Sequence, residues 1–404
     1  MFDIQRNVEK TRWRPSLKKL IVSLVILGIL ISSISAQTTI ESAARKDPRS
    51  MGSGGTSLLF STGYDAFFGN PAGFVGQGSL TLGDASFWGY FPVTPAGLNA
   101  LDPLLSGLST SSEAEATLVD FLAENGDLGF GGTIGLGWAG KGLGIGFNFL
   151  SEARLSGTGI SDARVIVRNQ ATAIFGYAFP INLGIFKFSF GADARGFYRL
   201  DSAVNGWNDG FDLVMAGLGY STSTFDNLVA SEMMSGGIGY AVDAGATCTI
   251  GPLSVGFMVR DLVSQIQMGD SSVNDILANS DFPVDGTNLV TIEPVVTAGL
   301  GLKRNPKGLV APSLYVETDD VQGLAETLMA GQMSSDAILA SLRVGGDLRL
   351  LQIFILRAGL NANRFSVGAG VDIYILRADV AMFQELSSTG ATRSGLSARF
   401  ALKL

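Results

Sequence analysis

The stretch from Arg49 to Phe74 reads RSMGSGGTSLLFSTGYDAFFGNPAGF, and it determines how the rest of the chain is interpreted. Its six glycines give the backbone access to positive φ, and the Asn70-Pro71 step disfavours helix. Its leucine and phenylalanine side chains are too apolar for a free linker. We therefore interpret it as a hatch inside a β-barrel that the following residues form. The alternative is an ordered loop leading into a β domain.

From Ser79 to the end of the chain, apolar and polar residues alternate in segments separated by turns, which predicts β-strands. The predicted strands are 79–91, 130–139, 142–153, 163–178, 184–199, 237–249, 252–267, 289–302, 309–318, 342–350, 353–361, 364–375, 377–384 and 393–404. Short turns alternate with longer connections, as in an up-and-down barrel with one rim of turns and one of loops. Helical spacing occurs in the longer connections at 113–124, 225–234, 321–329 and 336–342.

The faces of the predicted strands separate apolar from charged side chains. In 364–375, for example, Phe365, Val367 and Ala369 alternate with Ser366, Gly368 and Gly370. An arginine facing lipid at mid-membrane costs about 2–4 kcal/mol, so this separation suits a wall between lipid and lumen. The predicted fold is therefore all-β: a single transmembrane antiparallel β-barrel of about 14 strands, with an N-terminal lumen hatch and short helical insertions in the outer loops.

Composition supports a membrane barrel that is exported. Only 16% of the 404 residues are charged, yet no apolar run after residue 36 is long enough to span a bilayer as a helix. Residues 1–36 resemble a secretory signal peptide: basic residues, the apolar run Leu20 to Ile31, then small residues up to Ala36. A permanent membrane helix is the alternative. We divide the chain into signal peptide 1–36, hatch 37–78 and barrel 79–404.

The residue types that are missing exclude several classes of function. The chain has no histidine and one cysteine, Cys248, which removes serine-histidine catalysis, histidine zinc sites and cysteine metal clusters. We predict that the protein is not an enzyme and has no metal and no cofactor. The full chain has a net charge of −8, and the chain without its basic leader, which carries +4, is near −12; this acidity argues against nucleic acid as a partner.

The order of residues in the opening stretch resembles a known family. Arg49, Met51, Gly52, Gly54 and Gly55 are followed by Asp65 and then by Asn70-Pro71-Ala72-Gly73. This order is similar to the N-terminal hatch of the FadL-type outer-membrane long-chain fatty acid transporters, and most similar to the FadL-like proteins of spirochaetes.

The resemblance implies passive uptake of hydrophobic compounds, in particular long-chain fatty acids, across the outer membrane of a Gram-negative type of cell. The hatch residues Arg49, Met51, Gly52, Gly54, Gly55, Asp65, Asn70, Pro71, Ala72 and Gly73 would then gate the lumen. Movement of the Asn70-Pro71-Ala72 segment, together with a kinked wall strand, would let the ligand pass sideways or inward. The implied partners are membrane lipids, a hydrophobic small molecule and, during biogenesis, the barrel assembly machinery.

Three basic residues on the lumen face are candidate partners of a ligand carboxylate: Arg195, Arg199 and Arg343. The alternative is that they pair with lumen carboxylates such as Asp193, Asp347 or Asp372 and are structural.

The last strand alternates up to the final residue, with Phe400, Leu402 and Leu404 on its apolar face. It is similar to the closing strand that outer-membrane proteins present to the barrel assembly machinery, although those strands usually end in phenylalanine. An amphipathic last strand must also pair with the first to remove an exposed edge.

A second function fits the same barrel: a non-transporting outer-membrane scaffold, surface protein or secretion-system component. The insertions 92–128, 200–236 and 319–341 would then be docking surfaces for partners. A transporter requires an apolar pocket that extends from the loops to the hatch, whereas a scaffold can be packed solid.

Overall fold

The computed structural model describes residues 38–93, 110–157, 159–202, 214–215, 230, 232–284, 286–303, 308–321, 323–324, 341–362, 364–386 and 392–404. The predicted signal peptide lies outside these residues. The strands are β1 Thr38–Ile40, β2 Ser79–Tyr90, β3 Asp127–Gly140, β4 Leu143–Ser156, β5 Arg164–Leu183, β6 Phe186–Ser202, β7 Met233–Ile250, β8 Leu253–Ser272, β9 Asn288–Ile292, β10 Val295–Lys303, β11 Val310–Thr318, β12 Arg343–Leu350, β13 Phe354–Asn361, β14 Arg364–Ile373, β15 Leu376–Leu386 and β16 Thr392–Lys403.

Strand pairing closes the sheet into a barrel. Neighbouring strands pair antiparallel from β2 to β8 and again from β10 to β16. Strand β8 also pairs with β10, and β16 pairs with β2, so the sheet returns to its beginning. The two runs make a closed antiparallel barrel of fourteen strands, and the predicted fold class is confirmed.

One predicted strand is interrupted. The pattern at 289–302 predicted a continuous strand, but β9 ends at Ile292 and β10 begins at Val295. Pro294 lies in the break, where it cannot donate a hydrogen bond to a sheet. Opposite the break, Asp261 of β8 has φ 53°, and the register of β7 against β8 shifts between Val242 and Ala244. The wall is therefore kinked at this point.

The strand on the other side of β9 is β1, which pairs with it in parallel from Thr38↔Val290 to Ile40↔Ile292. In the order of the sheet, β9 lies between β8 and β1, whereas β10 lies between β8 and β11. The beginning of the hatch is thus joined to the wall beside the break.

Two further local predictions were wrong. The predicted strands 163–178 and 184–199 leave a turn over Pro180-Ile181-Asn182, but β5 continues through these residues to Leu183 and turns at Gly184 with φ 63°. Met233 and Met234 were placed in a helix at 225–234 but begin β7. The predictions of helix at 321–329 and 336–342 fall largely on residues outside those described.

The helix predicted at 113–124 is confirmed as Ser111–Asn125. The Thr110 hydroxyl accepts from the Glu113 amide at its start, and Gly126 ends it with φ 66°. A second helix, Val273–Asn279, follows β8. Within the described ranges, no helix combines the length and apolar character needed to cross a bilayer.

The two faces of the wall differ as the alternation predicts. Outward phenylalanines are largely exposed, for example Phe130 at 70% and Phe400 at 57%. Inward charged residues such as Asp193 and Arg199 are buried. An apolar exterior around a polar interior is the arrangement of a membrane-spanning barrel.

The barrel wall has unequal heights. Strands β5 and β8 have 20 residues each, whereas β12 and β13 have 8. The tall side supports an apolar cap at the long-loop rim, in which both helices pack on the ends of the strands. Its buried residues, called the cap cluster below, are Ala114, Leu118, Leu122, Leu155, Ala163, Val165, Met215, Met234, Val273 and Ile276.

Candidate functional site: the hatch and the lumen above it

The hatch forms three short turns of helix joined by glycines. Helix Pro48–Gly52 is followed by 3-10 helices Gly63–Phe67 and Pro71–Val75. Gly54 and Gly55 have φ 67° and 83°, values that favour glycine. The Asn70 side chain accepts from the Ala72 amide at 3.0 Å and so begins the last 3-10 helix.

The hatch lies against wall glycines inside the barrel. A methyl group at Gly245 of β7 would lie 2.0 Å from Asn70 Oδ1, and one at Gly191 of β6 would lie 2.5 Å from the Pro71 carbonyl carbon. On the opposite part of the wall, a methyl at Gly359 of β13 would lie 2.2 Å from the Gly54 amide. Only glycine allows this approach, so hatch and wall are in direct backbone contact.

Aromatic side chains of the hatch fill further glycine positions. Phe67 and Phe74, with ring centroids 5.2 Å apart, pack over Gly144 and Gly146 of β4 and Gly176 of β5. Phe74 is fully buried. The many glycines of the barrel strands therefore make room for the hatch, a role that the sequence did not reveal.

Asp65 is the centre of the charged contacts of the hatch. Its carboxylate pairs with Arg45 at 3.4 Å and Arg49 at 3.2 Å within the hatch. It also pairs with Arg377 of β15 at 3.3 Å and Arg399 of β16 at 2.7 Å. Burial acts to raise the pKa of Asp65, but the four guanidinium charges outweigh it and hold the pKa well below its usual range. Asp65 is thus an ionised group that ties the hatch to the wall.

A second carboxylate ties the hatch from the opposite direction. Glu317 of β11 accepts from the backbone amides of Ser57 at 2.7 Å, Leu58 at 3.1 Å and Leu59 at 3.4 Å. Its side chain is among the largest fully buried ones. Three amide donors on one buried carboxylate fix the loop between the first two helical turns of the hatch.

The predicted hatch residues do not form one site. Gly52, Gly54 and Gly55 lie against β12 to β14, while Asn70, Pro71 and Ala72 lie against β6 and β7. The rest belong to neither group. Arg49 pairs with Asp65, Met51 packs on the cluster of Trp88, Tyr90, Leu150 and Phe383, and Gly73 approaches the Ser61 carbonyl within the hatch.

The three candidate lumen arginines are all paired with acidic or carbonyl groups. Arg195 contacts Asp243 at 2.7 Å and Asp261 at 2.6 Å, with Asp193 at 3.8 Å. Arg195 therefore lies among three carboxylates.

Arg199 is fully buried, with Asp201 at 2.6 Å and the Glu41 carbonyl at 2.9 Å. Arg343 pairs with Asp319, but 30% of its side chain is exposed. It also lies beside Gly55 of the hatch. Among the three, Arg343 is therefore the one that a carboxylate can approach from outside.

The sequence alone does not identify Glu317, Asp243 and Asp261 as contacts of the hatch and lumen. Alternation places each of them, as a charged residue, on the inward side of a predicted strand, but many other charged residues share that position. What they contact depends on residues far away in sequence, such as Ser57 for Glu317.

Above the hatch, buried apolar side chains pack on one another inside the tall side of the barrel. The residues called here the lumen cluster are Phe197, Ala241, Ile266, Met268, Val290 and Ile292, with Ile40 of β1 packed on them. Along the inward face of β6, Phe197 follows Gly191, Asp193 and Arg195. Arg195 and the carboxylates that pair with it therefore lie between the lumen cluster and Asn70. The lumen cluster includes the end of β9 and so borders the kink of the wall.

No model of a protein family matches this chain, and no characterised protein matches it by sequence. Among solved structures, the chain is similar to the toluene transporter TbuX of Ralstonia pickettii, with 14% identity and a TM-score of 0.45 over 91% of this chain and 98% of that one. It is also similar to the toluene transporter TodX of Pseudomonas putida, with 12% identity and a TM-score of 0.43 over 91% and 99%.

A FadL homologue of Pseudomonas aeruginosa has 12% identity and a TM-score of 0.38, again over 91% of this chain and 99% of that one. Each of the three similarities covers 91% of this chain.

Proposed function

We propose that this protein carries hydrophobic compounds passively across an outer membrane of the Gram-negative type, and that long-chain fatty acids are among them. The observation that supports this most directly is a buried apolar cluster inside the barrel, above a hatch that is bound to the wall. A hatch is what a selective carrier requires, because an unobstructed fourteen-strand lumen would pass small solutes.

The two apolar clusters follow one another from the outer rim inward. The cap cluster lies where the long loops meet the strand ends, and the lumen cluster lies below it on β6 to β9. Contact between apolar side chains and water is unfavourable, whereas contact with an apolar ligand removes that surface from water. Apolar side chains inside the barrel therefore favour a ligand that is itself apolar.

The kink in the wall supports a sideways step. The lumen cluster ends at Ile292, directly before the break between β9 and β10. Strand β1, which pairs with β9 there, has only three residues. We propose that displacement of β1 connects the lumen cluster with the surrounding lipid, while movement of Asn70 to Ala72 opens the way inward.

A fatty acid also carries a carboxylate, and Arg343 is the proposed partner for it. Exchange of Asp319 for the ligand carboxylate would keep the guanidinium paired. Arg195 and Arg199 are held by buried carboxylates, so for them we favour the structural role. The proposed transport involves no chemical change of the ligand. Membrane lipids and the barrel assembly machinery remain proposed partners.

The proposal is tested by uptake of labelled oleate into liposomes that contain the refolded protein. We expect uptake faster than into empty liposomes. Pro71→Ala should change the rate of uptake by roughly two- to fivefold. Proline stabilises a turn of compatible geometry by about 0.4–1 kcal/mol, and alanine would lose that contribution. Pro312→Ala, on the exposed face of β11, is the control and should leave the rate unchanged. Uptake no faster than into empty liposomes would remove the transport function and favour the scaffold.

A further inference from the structure

The seam of the barrel is the place where its last strand, β16, pairs with its first, β2. A buried ion pair crosses it: Arg399 Nε of β16 donates to Asp84 Oδ2 of β2 at 2.7 Å. These residues are 315 positions apart, so their contact forms only when the whole sheet has closed.

The hatch supplies the remaining partners of this pair. Arg45 donates to Asp84 Oδ1 at 2.6 Å. Asp47 and Asp65 accept from Arg399 at 3.2 Å and 2.7 Å. Hatch groups thus bind both strands of the seam, with positive and negative charges alternating.

The cluster is dry and well packed. The side chains of Arg45, Asp84 and Arg399 are at most 3% exposed, and the Arg45 guanidinium lies 4.1 Å from the centre of the Phe68 ring. Buried charges of this kind are stable only when every partner is present. The contacts of the hatch with β6 and β7 are of a different kind from those with β2 and β16. Asn70 and Pro71 pack against glycines of β6 and β7 and form no ion pair there.

The two ends of the seam are joined in other ways. At the turn rim, Leu80 and Leu404 exchange backbone hydrogen bonds of 2.9 and 2.7 Å. At the loop rim, the amide of Phe91, directly after β2, donates to the Ser394 carbonyl of β16 at 3.1 Å. Between these ends β16 and β2 pair along their backbones from Gly395↔Tyr90 to Lys403↔Thr81. The hatch adds the buried inward side-chain contacts at the middle of the seam.

We propose that the hatch has a second function, in which its Arg45 and Asp47 join the first and last strands, so that closure of the barrel requires the hatch. Bringing together two strands separated by the whole chain costs conformational entropy that local turns do not repay. When the hatch is bound to β2 through Arg45 and Asp84, its Asp47 is in place to pair with Arg399 of β16. This function is independent of what the lumen carries.

The test measures closure directly in the full-length chain with Cys248 replaced by serine. The pair Ala85→Cys and Phe400→Cys, register partners across the seam, reports closure by disulfide formation during refolding. The pair Ala173→Cys and Gly196→Cys reports the β5–β6 contact in a parallel sample.

Each pair is combined with Arg45→Gln or with the control Arg49→Gln. Arg49 is a hatch arginine that contacts Asp65 and the Phe60 ring within the hatch.

Arg45→Gln should lower the seam cross-link roughly tenfold or more, since a buried charge that loses its partner costs more than a tenfold change in an equilibrium. The β5–β6 cross-link should stay. Arg49→Gln should lower the seam cross-link far less than Arg45→Gln, because Asp65 keeps three other arginine partners. Equal seam yields in the two variants would overturn the proposal. A parallel loss of both cross-links in Arg45→Gln would also overturn it, because that shows general instability. Oleate uptake is a separate measurement, so either proposal can fail alone.

Discussion

Replacing Asp65 by asparagine should destabilise the folded protein more than any single change on the lipid face. The substitution keeps the shape of the side chain but removes the one negative charge shared by four arginines at 2.7 to 3.4 Å. It also turns an amide N–H₂ towards guanidinium groups that have no acceptor to offer. Removing one partner of a buried ion pair costs about 3–5 kcal/mol, so we expect a loss of at least about 3 kcal/mol.

The measurement is urea unfolding of the refolded protein in detergent micelles, with the free energy of unfolding taken by linear extrapolation. Asp372→Asn is the matched control. Asp372 pairs with Lys403 at 2.5 Å near the turn rim, where the Lys403 side chain is 28% exposed, so its loss should cost about 1 kcal/mol or less. Equal losses for the two variants would show that the Asp65 cluster contributes no more than an ordinary ion pair.

The difference in unfolding free energy between the native protein and Asp65→Asn should depend on pH in a way that follows from the direction of the pKa shift of Asp65. Because the pKa of Asp65 is depressed in the folded state, its contribution is complete above the unfolded pKa, at about 4. The contribution is lost as the pH falls from there through the folded pKa. The gap between native protein and Asp65→Asn should therefore be constant from pH 7 to pH 5 and narrow only in stronger acid. A gap that narrows between pH 7 and pH 5 would contradict an ionised, paired Asp65.

Three further changes test the contacts of the hatch and lumen. Gly245→Ala should cost about 1–3 kcal/mol of unfolding free energy, since its methyl would overlap Asn70, while Gly196→Ala, with open space around it, should cost nothing measurable. Glu317→Gln should cost roughly 1–3 kcal/mol and increase proteolysis of the Ser57 to Leu59 loop, because one amide oxygen cannot accept three bonds as a carboxylate does. Arg343→Gln should slow oleate uptake but leave that of an uncharged hydrocarbon unchanged; equal slowing of both would remove the carboxylate role.

The barrel itself could be predicted because alternation is a local property. In β14, Phe365 to Val371 alternate with small polar residues, and the structure begins the strand at the predicted residue, Arg364. The same local pattern failed at 289–302. Apolar residues on both sides of Pro294 continued the alternation, while the break depends on the bulge at Asp261 in a neighbouring strand.

The sequence could predict that the hatch is compact and lies against the barrel, but not which wall residues it contacts. Glycines and an Asn-Pro step indicated a compact segment, but which wall it meets depends on pairs such as Asn70 and Gly245, which are far apart in sequence. A glycine in a strand pattern is ambiguous without its partner, because it also marks bulges and bends. The lumen arginines show the same limit. Their inward positions follow from alternation, whereas the exposure that separates Arg343 from Arg199 does not.

The distribution of contacts along the hatch shows which part of it is free to move. Withdrawal of the whole hatch would separate Asp65 from Arg377 and Arg399, and Glu317 from three amides, so it would expose several buried charges at once. The turn Asn70 to Gly73 is different: its hydrogen bonds run from Ala72 and Gly73 back to Asn70 itself. It rests on wall glycines that offer contact but no side-chain bond. Wall hydrogen bonds lie on both sides of the turn, from Arg260 to the Phe68 carbonyl and from the Gly142 amide to the Phe74 carbonyl. Displacement of the turn between them costs packing, so it can open while these bonds and the charged contacts keep the rest of the hatch in place.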